Sequence, residues 1–431
     1  MLTEKIRVVL AHQYDLVIGD TFQLFYRSII EAPNPYVYSI VAVCEKGKNF
    51  PRYFEYTPQE EGKHELTISV YDANRNLLGS ASTILNVVMA KKPINQINVL
   101  CVGDSLTHGG EWIEEVRRRI VENDGTPCGH GFNGVNFVGN CKAFGIGYEA
   151  FGGWTWDRFT SDKVGAIWLE APNNKTEKDQ HSLWQDENGA IWQIETLQID
   201  YLKMNRYKDH TSPRPESGIL THYKNAVDTT PIRFFRSSDE RITPFYDLQS
   251  KGINFKAYIK KLGIDKIDIV YILLGSNGLM RPEAINNTKF EYCKLVINEA
   301  KVFVDKLKAD LPNVKVKIMA PPKISINGGI GNNYGAELPF TDKAEIDHYN
   351  TELNFAYRRW AEEDHYKDFL EFVHLTGQFD SEFSYPNIQK PVNVRSSVTE
   401  RIDTNAGHPN HEGKMQMADA VYRNLVKEIS K

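Results

Sequence analysis

"INVLCVGDSLTHGGEWIEEVRRRIVEN", residues 97–123, decides the fold. The apolar run at 97–102 reads as a buried strand and is followed at once by the small polar cluster Gly103-Asp104-Ser105. In the next stretch Trp112, Ile113, Val116 and Ile120 share one helical face. A residue in such a strand-turn-helix unit sits above the sheet edge, where backbone N–H groups and the helix macrodipole favour negative charge. A serine there can attack a carbonyl, its own N–H meeting the oxyanion. Asp-Ser is also a common helix-capping pair, so the local pattern alone leaves both readings open.

The same alternation continues downstream. "DIVYILL" (268–274) precedes an amphipathic stretch from about 287 to 311, and "VKVKIMA" (314–320) precedes a helix from about 343 to 363. "FLEFVHL" (369–375) is the next strand, and 411–430 reads as the closing helix. Continuous apolar strands between helices predict an α/β fold, a parallel sheet covered on both faces. In such sheets ligands bind beyond the carboxyl ends of the strands.

Upstream the period is different. "HELTISVYD" (64–72) alternates Leu66, Ile68 and Val70 with polar neighbours, while "TFQLFYRSI" (21–29), "YVYSIVAVC" (36–44) and "STILNVVM" (82–89) are rich in β-branched and aromatic residues. These runs predict a small all-β sandwich of immunoglobulin type over residues 1–92, without helix. "AKKPINQ" (90–96) reads as a linker, and 97–431 as the sheet domain. An aromatic-rich insertion is expected at about 160–251, containing a hairpin that turns at Asn188-Gly189.

Composition narrows the function. The 431 residues are 41% hydrophobic and 25% charged, as in ordinary globular chains. A net charge of -5 with no basic stripe argues against nucleic acid as a partner. No run of about 18 apolar residues is present, so no membrane span is expected. The N-terminus lacks the apolar core of a secretory leader; the expected compartment is the cytoplasm, or the periplasm or exterior if a leader has been removed. The five cysteines, Cys44, Cys101, Cys128, Cys141 and Cys293, show no CxxC spacing and read mostly as core thiols.

A nucleophilic serine needs a general base. Of the 12 histidines, His408 stands out in "NAGHPNHEGKMQMADAVYRNL" (405–425), where Pro409 restricts its backbone and an amphipathic helix follows. That context places an imidazole in a loop at one end of the sheet, the end where Ser105 belongs.

Four blocks together resemble the SGNH, or GDSL, hydrolase superfamily of esterases and lipases. Gly103-Asp104-Ser105-Leu106 is similar to the first block, "YEAFGGWTW" (148–156) to the second, "ILLGSNG" (272–278) to the third and His408-Pro409-Asn410 to the fifth. The resemblance implies a flavodoxin-like parallel sheet and a Ser-His acyl-enzyme mechanism without cofactor or metal. Its oxyanion donors would be the N–H groups of Ser105 and Gly153 and the side-chain amide of Asn277. Gly278 replaces an aspartate usual in the third block. Asn405 stands where the family commonly has the aspartate of a triad, three residues before His408. Either Asn405 orients the ring, or Asp403 does so instead, or a backbone carbonyl serves.

Other motifs carry less. "GGIGNNYG" (328–335) lacks phosphate-loop spacing and reads as a substrate loop. His408 and His411 lack further ligands at metal spacing. His108 lies too near Ser105 along the chain to be the preferred base. Trp154 and Trp156, beside the oxyanion glycine, are expected to line the substrate site, with Trp168, Trp184, Trp192, Phe234, Phe235, Phe245 and Tyr246 as a group forming a rim. Arg233, Arg236 and Arg241 read as a solvated face. The expected protein is a serine esterase acting on small acyl esters, acetylated carbohydrate above long-chain lipid. The alternatives are a lipase or thioesterase, and a glycan-binding protein with weakened turnover on the same fold.

Overall fold

The computed structural model describes residues 6–160, 243–247, 250, 252–277, 289–325 and 343–431, with side chains from 293 and 348 in the two long helices. Between 160 and 243 it describes the backbone of six strands.

The first ninety residues hold β1 (Gln13–Val17), β2 (Phe22–Phe25), β3 (Ser39–Val43), β4 (Lys48–Asn49), β5 (Tyr53–Tyr56), β6 (Gly62–Tyr71) and β7 (Leu77–Val88). They form two sheets, ordered β1-β7-β6-β3 and β2-β5-β4. Alternation explains the burial: Leu66, Ile68 and Val70 of β6 point into a core shared with Leu16, Phe22, Leu24, Phe54 and Leu85. The expectation of strand throughout "TFQLFYRSI" is corrected by α1 (Tyr26–Ile29), a single helical turn. All four of its residues are buried, so the period-2 rule, which assumes one wet face, does not apply.

The second region begins with β8 (Ile97–Gly103), followed by α2 (Glu111–Val121), β9 (Val135–Val138), β10 (Cys141–Ala143), β11 (Ile146–Ala150) and α3 (Trp156–Thr160). Six antiparallel strands come next: β12 (Ala166–Trp168), β13 (Leu183–Asp186), β14 (Ile191–Leu197), β15 (Tyr201–Tyr207), β16 (Ser217–His222) and β17 (Arg233–Arg236), ordered β12-β17-β13-β14-β15-β16. β13 and β14 pair as a hairpin with Trp184 opposite Trp192; the Asn188-Gly189 turn lies outside the described residues. The chain continues through β18 (Tyr246–Asp247), β19 (Gly252–Ile253), α4 (Phe255–Lys261), β20 (Ile269–Leu273), α5 (Lys289–Asp310), β21 (Lys315–Met319), α6 (Lys343–Glu362) and β22 (Leu370–Phe372). A hairpin of β23 (Asn387–Pro391) and β24 (Thr399–Asp403) precedes α7 (His411–Ile429).

The main sheet runs β10-β11-β8-β20-β21-β22, and β9 also pairs with β8. β8, β9, β11, β20, β21 and β22 pair in parallel. β8 and β20 are buried along nearly their whole length, which is why both read as unbroken apolar runs. On its outer edge β8 pairs with β9 through residues 97–100 and with β11 through Val102 and Gly103. The carboxyl ends of β11, β8 and β20 therefore lie side by side.

Polar contacts join the first region to the second. Asp20 accepts from both Arg119 of α2 and Arg423 of α7, whose side chains are almost fully buried. Asp15 accepts from Asn424 at 3.0 Å and pairs with Lys427 at 2.9 Å. Among the described residues no helix is long and apolar enough to cross a membrane.

Candidate active site

β8 ends at Gly103, and two successive turns intervene before α2, closed by Thr107 N–H and His108 N–H on the Asp104 carbonyl and by Gly110 N–H on Thr107. Ser105 thus stands in a turn six residues ahead of the helix rather than at its cap. Gly103 is required by close approach: a Cβ there would overlap Thr107 and lie 3.0 Å from the Leu273 carbonyl oxygen. Ser105 is half-buried, and its Oγ lies 2.9 Å from Nε2 of His408, a residue 303 positions away. The sequence singled out both, and the fold brings them into hydrogen-bond contact.

The His408 loop is held from several directions. Asn410 N-caps α7 by accepting from Gly413 N–H at 2.9 Å. Ala406 O accepts from Ser325 N–H at the end of the β21 connection. Asn405, expected at the imidazole ring, has a different occupation: its Oδ1 accepts the backbone N–H groups of Gly407 at 3.1 Å and His408 at 2.9 Å. It supports the histidine through the main chain, as asparagine side chains commonly do in turns. Asp403 is buried and accepts from Ser325 Oγ and, at 2.8 Å, from Arg401 Nε. Burial and the nearby Lys414 ammonium both hold the His408 imidazole below its ordinary value.

Two of the expected oxyanion donors, Gly153 and Asn277, lie on turns that meet the Asp104-Ser105 turn. Gly152 and Gly153 are exposed, and a Cβ on Gly152 would sit 3.9 Å from that of Ser105. Gly153 has a φ of +78° in a turn closed by Trp154 N–H on the Phe151 carbonyl at 3.2 Å, a conformation that favours glycine. Asn277, just past the end of β20, donates its amide to the Asp104 carboxylate at 3.1 Å and to the Trp154 carbonyl at 3.0 Å. Both amide hydrogens face protein acceptors in this state.

Asp104 is the site residue that sequence reasoning passed over as half of a capping pair. It is fully buried and accepts from Leu106 N–H, Ser276 Oγ and Asn277, tying the β8 turn to the β20 turn. Burial pushes its carboxyl up to about 6, against the pull of the Ser276 hydroxyl and the Leu106 N–H. The signal was its position between a buried strand and Ser105, where a carboxylate has no water to turn to.

Trp154 and Trp156 are corrected. Both rings are buried, Trp154 between Phe151 and Phe159 and Trp156 with its Nε1–H donating to Tyr357 Oη at 2.8 Å. Tyr357 in turn donates to the Leu274 carbonyl, so Trp156 props the turn that carries Asn277. Large rings beside a sheet of this size are drawn into its core before they can line a rim. Phe245 is likewise a core residue. The side chains of Trp168, Trp184, Trp192, Phe234, Phe235, Arg233, Arg236 and Arg241, and all of 328–335, lie outside the described residues. His108 donates from Nδ1–H to the Ala150 carbonyl at 3.0 Å. His411 pairs with Glu111 at 2.6 Å.

A parallel sheet with a serine and a histidine meeting beyond its carboxyl edge is an arrangement met in hydrolases. No family model and no curated protein matches the chain. Its structural neighbours include carbohydrate esterases and GDSL-like lipases. It is similar to a carbohydrate esterase family 3 structure from Talaromyces cellulolyticus, at 13% identity over 78% of this chain and 99% of that one, with a TM-score of 0.36. A carbohydrate acetylesterase family member from Sinorhizobium meliloti gives 14% identity over 78% and 99%, with a TM-score of 0.34. A Corynascus thermopiles carbohydrate esterase family 2 enzyme with a carbohydrate binding domain gives 11% over 99% of both chains, with a TM-score of 0.30.

Proposed function

We propose that the chain is a serine esterase of the SGNH type that hydrolyses small acyl esters, acetyl groups on carbohydrate foremost. The observation that carries this reading is the 2.9 Å contact between Ser105 Oγ and His408 Nε2. Ser105 attacks the ester carbonyl while His408 takes its proton and returns it to the leaving alkoxide as the C–O bond breaks. Water then attacks the acyl-serine, giving its proton to His408, and the acid leaves as Ser105 is reprotonated. The oxyanion is met by Ser105 N–H, Gly153 N–H and the Asn277 amide, which exchanges the Trp154 carbonyl for the substrate oxygen. Each donor is worth about 3 kcal/mol of transition-state stabilisation.

The order β11-β8-β20-β21-β22 supports a flavodoxin-like sheet, in which ligands sit where connections diverge on either side of the first strand. The two sheets around one core support a sandwich in residues 1–92 as an accessory unit to the hydrolase at 97–431. The aromatic-rich insertion favours sugar esters over long acyl chains. The test is fluorophosphonate labelling together with turnover of acetylated sugars and p-nitrophenyl esters of rising chain length. Labelling and acetyl turnover are expected, and both are lost in Ser105→Ala. Faster turnover of octanoyl than acetyl esters overturns the substrate choice, and sugar binding without labelling overturns the enzyme.

A further inference from the structure

We infer that Arg52, on the turn before β5, is a positioning residue for His408, acting across the joint between the two regions through residues 379–385. The inference rests on the reading of Ser105 and His408 as the reacting pair.

The segment 379–385 is gripped on both sides. From the first region, Ser28 Oγ donates to the Phe379 carbonyl at 2.6 Å. Arg52 donates to Asp380 Oδ1 at 2.6 Å and to Glu382 Oε2 at 3.0 Å, with its guanidinium 4.3 Å from the centre of the Phe383 ring. From the second region, Gln416 Oε1 of α7 accepts both the Asp380 N–H at 2.8 Å and the Ser384 hydroxyl at 3.1 Å. The Ser384 carbonyl accepts the N–H of Asn410, two residues beyond His408 and the N-cap of α7, at 3.0 Å. The approach is close: a Cβ on Gly413 would lie 2.6 Å from that same carbonyl oxygen.

The position of the segment therefore sets where the chain leaves His408 and enters α7, and Arg52 fixes that position with a planar fork spread over two carboxylates and a ring. A lysine keeps the charge without the fork. Arg52 is about a third exposed, at 32%, so its removal leaves no cavity in the core. What changes is the reach of the imidazole toward Ser105, and displacement on the scale of an ångström is costly to a proton transfer made at hydrogen-bond distance.

The experiment measures p-nitrophenyl acetate turnover by the full chain carrying Arg52→Ala or Arg52→Lys, with thermal melts of each. Arg52→Ala is expected to lower kcat about tenfold with KM unchanged, and Arg52→Lys to recover part of the loss. Unchanged kcat, a change confined to KM, or a fall that matches the loss of folded protein in the melt overturns the inference. Wild-type turnover in Ser105→Ala or His408→Ala overturns instead the reading on which it stands; inactivity of those two variants beside a fully active Arg52→Ala defeats the inference alone.

Discussion

The imidazole of His408 is tuned by its surroundings. Desolvation and the Lys414 charge both disfavour the imidazolium, so the neutral form needed to accept a proton persists below the ordinary imidazole value of 6.5. The acid limb of kcat/KM for an acetyl ester is expected to fall at a pH below that value. Lys414→Met removes a cation and leaves Glu111 without one of its two partners, so the limb moves to higher pH. A limb that stays fixed, read from a pH-rate profile, refutes this account of Lys414. At this scale the sequence exposed what depends on local context: a serine after a buried strand, a histidine before a proline. It did not expose what depends on where a side chain turns. Asn405 occupies the expected position, yet its oxygen serves the backbone of Gly407 and His408. Trp154 and Trp156 are adjacent to the site in sequence, yet their rings point into the core.

Between residues and the whole stand the strands and turns that deliver the site. The junction of β8 with its turn has no spare volume, because Gly103 faces Thr107 and the Leu273 carbonyl of the neighbouring strand. Gly103→Ala must push β8 from β20 or rotate the turn that presents Ser105. Overpacking of this kind costs about 1–3 kcal/mol. A lower melting temperature is expected together with loss of fluorophosphonate labelling, and unchanged labelling would show that the turn tolerates the methyl. Periodicity made β8, α2, β20, β21 and α7 legible, since each has either a continuous apolar run or one apolar face. It missed α1, whose single turn is too short to show a period and is buried all round.

Across the whole molecule the two regions are joined by charge. Burial alone would raise the Asp20 carboxyl, but Arg423 and Arg119 outweigh it and hold the group below the usual carboxylate value. Its stabilising effect is full above the unfolded value of about 3.8 and is lost as pH falls through the lower folded value. Asp20→Asn leaves two arginines buried without their shared carboxylate and is expected to cost about 3–5 kcal/mol at neutral pH. A urea midpoint within error of wild type would refute this. None of this joint was legible beforehand, because Asp20 in a Gly-Asp pair looks like a surface turn, and its partners Arg119 and Arg423 are two among many charged residues on amphipathic helices, 99 and 403 positions away.

That joint bears on inheritance. If the second region were recombined onto a foreign partner module, Arg119, Arg423 and Lys427 would each lose an acidic partner; Arg119 would keep Asp419 and Lys427 would keep Glu371, while the nearly buried Arg423 would lose the Asp20 carboxylate. The two halves are thereby bound to evolve as a unit, each fixing the charges the other can tolerate.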